Sequence, residues 1–188
     1  MSTNKLVPSQ GVTLIELVMT MVLVGILSVT GGKLLVDFVQ NTFYIPSKLN
    51  VDMIASDALN LMVEGDTAAK GLRFSRNRST IQNNLVAFTN QDNQVIQYRL
   101  DTVSNRLYRS ISGGPEEIIP YYFPSSNVRI SGKNGILFAY YDTNQTQTAN
   151  PAQVRWITLT VIAWQGNGSY QNWVGQSERR TAIAVKIY

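Results

Sequence analysis

The chain has 188 residues, 44% of them hydrophobic and 15% charged, enough for one ordinary globular core plus an appended element. It contains neither cysteine nor histidine, which excludes a disulfide framework and thiol chemistry and removes the commonest zinc ligands and imidazole bases. Sixteen Lys and Arg stand against 12 Asp and Glu, a net charge of +4, too small an excess to imply nucleic-acid binding without a concentrated basic surface.

The first element is a short polar segment, residues 1–11, whose only charge is Lys5. Next comes VTLIELVMTMVLVGILSVTGG, residues 12–32, with Glu16 as its one formal charge. About 20 apolar residues span a hydrocarbon core as a helix, so this stretch reads as a membrane-inserted helix rather than the buried helix of a soluble domain. An ordinary secretory signal fits poorly, because LLVDFVQNTFY after the apolar run offers no small-x-small cleavage site. A carboxylate within such a segment is costly and marks a functional position. Glu16 lies four residues past Val12, a spacing that puts both on one helical face. If the chain began at Val12, its free α-amino group would meet the Glu16 carboxylate, in the same or a neighbouring subunit.

The string Gly11-Val12-Thr13-Leu14-Ile15-Glu16-Leu17, followed by an uninterrupted apolar run, resembles the prepilin-type cleavage and methylation segment of type IV pilins and pseudopilins. The resemblance covers roughly residues 8–35. It implies cleavage after Gly11 by a prepilin peptidase, N-methylation of Val12 by the same peptidase/methyltransferase, and a role for Glu16 in docking subunits into a filament. It further implies other pilin or pseudopilin subunits, an inner-membrane assembly platform and the lipid bilayer as partners, and no cofactor. Lys5 would lie inside the cytoplasm and the downstream domain outside it, at the inner membrane or in the assembled filament. Two departures stand out: the first mature residue is Val12 where the family usually has phenylalanine, and the leader carries Pro8-Ser9-Gln10 rather than basic residues before the glycine.

Beyond the apolar run, Asp37, Gln40 and Asn41 interrupt the pattern and Pro46 predicts a kink or break. Leu49, Met53, Ala58, Leu61 and Met62 recur at steps of mixed length, predicting an amphipathic helix that stops near Gly65 or Gly71. The expected organisation is therefore a leader over 1–11, a transmembrane or filament-core helix over 12–35, its amphipathic continuation over 36–66 and a β-rich domain over 67–188. Arg73, Arg76 and Arg78 follow the helix. They read either as a solvated loop or as phosphate contacts, since filament proteins of the resembled superfamily can bind DNA.

After residue 80 the periodicity changes to that of strands, expected over 84–89, 94–100, 106–111, 135–141, 154–164 and 181–188. Both faces of 154–164 are rather apolar, the mark of a central or helix-covered strand. Asn134-Gly135 and Asn167-Gly168 signal turns, while residues 112–127 and 145–151 read as irregular connections. A helix followed by antiparallel strands gives an α+β fold, a long N-terminal helix packed on an antiparallel sheet as in pilins. The text Val95-Ile96-Gln97-Tyr98-Arg99-Leu100, Asn105-Arg106-Leu107-Tyr108-Arg109 and Leu137-Phe138-Ala139-Tyr140-Tyr141-Asp142 resembles J-type minor pseudopilins and W-type minor pilins. That tilts the expectation to a minor subunit acting in filament initiation or at the tip. A major pilus subunit and a membrane-tethered binding module that never polymerises are the alternatives.

No enzymatic constellation emerges. Glu116 and Glu117 are adjacent, and neighbours on an extended chain point opposite ways. Asp142 and Asn144 offer oxygen ligands at a spacing too loose to specify a calcium site, and Gly113-Gly114 precedes Pro115, unlike a phosphate-binding loop.

Overall fold

The computed structural model describes residues 11–120, 128–166 and 175–185, apart from the side chain of Phe43. Residues 1–10 of the expected leader, the expected Asn167-Gly168 turn and residues 186–188 lie outside that description. The chain divides into two compact units, one up to Thr42 and one from Phe43 onward.

A single helix, α1, runs over Leu14–Val63. It continues through Pro46 with no break, contrary to a full break there; the missing amide of Pro46 leaves only the carbonyl of residue 42 without its helical donor. The helix stops two residues before Gly65, which adopts φ +86° and donates its N–H to the Leu61 carbonyl at 3.1 Å. This is an αL cap, which favours glycine because a Cβ is strained at positive φ. A Cβ at that position would also lie 2.1 Å from the Ala69 carbonyl oxygen.

In the second unit the helix is buried along Val51, Ile54, Ala55, Ala58, Met62 and Val63, a three-and-four spacing that forms one face. The expected stripe is corrected at its start: Leu49 and Met53 are 65% and 53% exposed. The helix is turned so that polar neighbours of the true stripe find specific partners. Asn50 Nδ2 donates to Gln165 Oε1 at 2.7 Å, Lys48 Nζ donates to the Gln176 carbonyl, and Asp52 accepts from Ser177 and Arg179.

Nine strands follow among the described residues. β1 (Ser75–Gln82), β2 (Leu85–Asn90), β3 (Val95–Asp101), β4 (Arg106–Ile111) and β5 (Glu117–Ile119) form a five-stranded sheet in that order, antiparallel at every step. In the second sheet, β8 (Trp156–Gln165) is the centre. One of its edges pairs with β6 (Val128–Ser131) and β7 (Phe138–Tyr141), and β9 (Gly175–Ala184) pairs along its whole length, all antiparallel. The central position explains the two apolar faces of β8. The two sheets meet where the Asn83 carbonyl accepts from the Leu137 and Phe138 amides, both at 2.9 Å, and where the Tyr140 hydroxyl donates to the Gln82 and Leu85 carbonyls.

Val86, Phe88, Ile96, Tyr98 and Leu107 from the first sheet and Phe138, Ile157, Leu159 and Val161 from the second join the buried face of α1 in one core. Each fully buried aliphatic or aromatic side chain contributes about 1.5–3 kcal/mol relative to exposure. The fold is thus α+β, a long N-terminal helix packed on antiparallel sheet. Strands β1, β5 and β6 occur where none was expected, and β9 begins six residues earlier than expected.

Candidate functional site

The N-terminal part of α1 contrasts with its continuation. Leu14, Ile15, Leu27, Val29 and Leu34 are each at least two-thirds exposed, and no residue from 11 to 42 is fully buried among those described. A contiguous apolar surface of this kind marks contact with lipid or another protein. It is the one helix long and apolar enough to cross a membrane among the described residues.

The start of the helix is organised by its own side chains. Thr13 is the residue before the first helical turn and Glu16 is the third residue inside it. The Thr13 backbone N–H donates to Glu16 Oε2 at 3.1 Å, and the Glu16 N–H donates to Thr13 Oγ1 at 3.3 Å. The Thr13 hydroxyl also donates to Glu16 Oε2 at 3.2 Å. This is a reciprocal capping box, which satisfies two amides that a helix start otherwise leaves open, and it places the carboxylate at the positive end of the helix macrodipole. Thr13 is the functional residue that sequence reading missed, although Thr-x-x-Glu ahead of an apolar run is its signature.

Gly11 and Val12 precede the helix, and both are exposed. Among the described residues nothing lies within 4 Å of where a Cβ on Gly11 would sit, so none of them demands glycine there. Gly25, Gly31 and Gly32 are equally open. Each glycine inside a helix costs roughly 1 kcal/mol relative to alanine, and no contact among the described residues offsets that cost.

The three post-helix arginines occupy different environments. Arg73 pairs with Glu64 at 2.8 Å, and Arg76 donates to Asn93 Oδ1 at 3.4 Å. Arg78 is buried on β1, with Nε on the Pro151 carbonyl at 3.4 Å. Burial and then the nearby Arg155 charge lower its pKa.

A second group of charges fastens the helix to the sheets. Arg109, fully buried on β4, pairs with Asp66 at 3.0 Å and Glu117 at 3.6 Å. Burial would raise the Asp66 pKa, but the Ala69 and Ala68 amides together with Arg109 lower it on balance. Beside them, the Tyr98 hydroxyl donates to the Leu61 carbonyl at 2.9 Å, and burial pushes its pKa up. Asp52 is held low by hydrogen bonds from Ser177 and Arg179. Glu116 is bound to Arg99 and Glu117 to Arg109, so the adjacent carboxylates serve separate guanidiniums. Asp142 Oδ1 accepts from the Asn144 and Thr146 amides at 2.8 and 2.9 Å, closing its own turn. No cluster of three or more metal-ligating His, Cys, Asp or Glu side chains lies among the described residues.

The architecture resembles a pilin-type structural module: one long N-terminal helix, apolar and exposed at its start, then packed on antiparallel sheet. No family model, curated protein or solved structure matches the chain.

Proposed function

We propose that this protein is a minor pilin or pseudopilin, a structural subunit of a type IV pilus or secretion pseudopilus acting in filament initiation or at the tip. The observation that carries this reading is the exposed apolar half of α1, a surface that needs lipid before assembly and neighbouring helices after it. In lipid, helices associate through close packing and polar contacts rather than through the hydrophobic effect. The open glycines at 25, 31 and 32 suit that close approach.

A prepilin peptidase cuts after Gly11, which accounts for a glycine that no contact among the described residues requires, and methylates Val12. Cleavage frees an α-amino group one residue before Thr13. Because Glu16 Oε2 already accepts from Thr13, the new charge arrives beside an ordered carboxylate, and the pair neutralises itself where isolated charges are costly. The protein is held in the inner membrane by this one helix with its β-rich domain outside the cytoplasm, and an inner-membrane platform passes it into the filament.

Intact-mass spectrometry of the native protein extracted from membranes tests the reading. A terminus at Val12, heavier by one methyl group, is expected; a mature membrane form that retains Met1 overturns the proposal.

A further inference from the structure

The outward face of the second sheet carries features that neither the core nor filament assembly uses. Along β8, Ile157, Leu159, Val161 and Ala163 enter the core, so Trp156, Thr158, Thr160, Ile162 and Trp164 face away from it, with Thr160 nonetheless buried between its neighbours. Cross-strand partners share a face. Tyr141 therefore accompanies Trp156, Arg180 accompanies Thr160, and Arg129 accompanies Trp164. Trp156 is 44% exposed, and Trp164 is half-buried.

A shallow depression adjoins each tryptophan. One, of about 360 Å³, is lined by Trp156 with Tyr141, Gln145 and Thr158. The other, of about 380 Å³, is lined by Trp164 with Ser131, Asn134 and Gln176. Each joins an indole to uncharged hydroxyl and amide groups, with Ala182 completing the first and Gly132 and Ile162 the second. The tryptophans stand eight residue steps apart on β8, about 27 Å at ~3.4 Å per residue.

The charge on this face is sparse and positive. Glu178, its acidic residue, is matched by Lys133 at 3.1 Å. Among the described residues neither Arg129 nor Arg180 has a carboxylate at ion-pair distance. A duplex nucleic-acid strand carries a phosphate every ~3.4 Å, roughly eight over this span, far more than two guanidiniums match. A polymer of hydroxyl-rich rings with occasional carboxylates fits both the charge and the linings. Rings stack on the tryptophans, hydroxyls meet the amides, and a carboxylate takes the forked donors of Arg180.

We infer that the outward face of the second sheet, from Trp156 to Trp164, binds an extended acidic polysaccharide, with sugar rings over the two tryptophans and a carboxylate against Arg180. The inference does not depend on filament assembly, since the face belongs to a single copy of the chain.

Calorimetric titration of the full chain in detergent micelles tests it, with a hyaluronan hexasaccharide, which carries a carboxylate on alternate rings, as the acidic probe and maltohexaose and a length-matched oligothymidylate as comparators. Saturable binding of the hyaluronan hexasaccharide is expected, weakening as salt rises. Replacing a stacking ring through Trp156→Ala or Trp164→Ala weakens binding about tenfold, and Arg180→Gln about fivefold. Trp156→Phe keeps a ring and retains most of the affinity, which separates stacking from misfolding, and an unchanged thermal melt verifies each variant. No saturation by the hyaluronan hexasaccharide overturns the inference. So does equal binding of maltohexaose, indifference to these substitutions, or tighter binding of the oligothymidylate.

Discussion

The two ends of α1 are made from similar residues and meet opposite fates. Leu27 and Val29 are 67% and 75% exposed, whereas Val51, Ile54 and Met62 are completely buried. Composition therefore does not separate the halves; partners do. The second half has two sheets of its own unit to cover it, whereas the first half is exposed among the described residues. One helix thus serves as a fold element at one end and, on the proposed function, as an assembly element at the other.

The largest effect that would sharpen this contrast is on assembly. Glu16→Leu is expected to leave membrane insertion intact and lower the protein recovered in sheared filaments at least tenfold, a coupling of about 1.4 kcal/mol or more. Glu16→Gln keeps a hydrogen-bond acceptor for Thr13 without the charge. If it assembles normally, the charge match is wrong and only the cap matters.

The same truncation on the two halves should then differ in stability. Ile54→Ala is expected to destabilise the globular unit by about 2–5 kcal/mol through the cavity it leaves. Leu27→Ala should change the denaturant midpoint in detergent by less than about 0.5 kcal/mol. Equal losses would mean that the first half packs within the chain after all.

A smaller loss is expected from Asp66→Asn, about 1–3 kcal/mol, because it strands buried Arg109 while Glu117 stays within reach. The sign with pH follows from the lowered folded pKa of Asp66 and Asp52. Their contribution is fully present above the unfolded aspartate value of about 3.9 and is lost as pH falls through the folded values. Acid unfolding followed by circular dichroism should begin below about pH 4, and Asp66→Asn should flatten that limb. An acid limb identical to that of the native protein would remove Asp66 from the linkage.

The smallest effect is at the helix start. Thr13→Val removes the capping hydroxyl at a cost of about 0.5–2 kcal/mol, seen as faster amide exchange over residues 14–17 with no change in the melting of the globular unit. Unaltered exchange there would show that Thr13 does not hold the helix end.

Sequence alone carried the strongly periodic parts of this protein. The apolar run, the helix that follows it, β2, β3, β4 and the central β8 were all readable, because hydrophobic period and length are local properties. The Thr13–Glu16 box was equally local and legible in principle. Strand β1 was not, since Ser75–Gln82 reads SRNRSTIQ, without apolar alternation. It is a strand because β2 supplies its ladder, and its charges and register shifts suit a sheet edge. The polar first half of β9 is likewise extended because β8 pairs with it throughout.

What the sequence determined is thus the identity of the elements whose side chains announce their own burial, together with the glycine–glutamate spacing at the start of the apolar helix. Only the tertiary structure decided which helix face turns inward, moving it from Leu49 and Met53 to Val51 and Ile54. It alone placed Arg109 against Asp66, dispersed the three post-helix arginines, and set Arg180 between two tryptophans on one face. Each of these depends on residues distant in the chain, and pairing across such distances is set by packing and strand register rather than by local propensity.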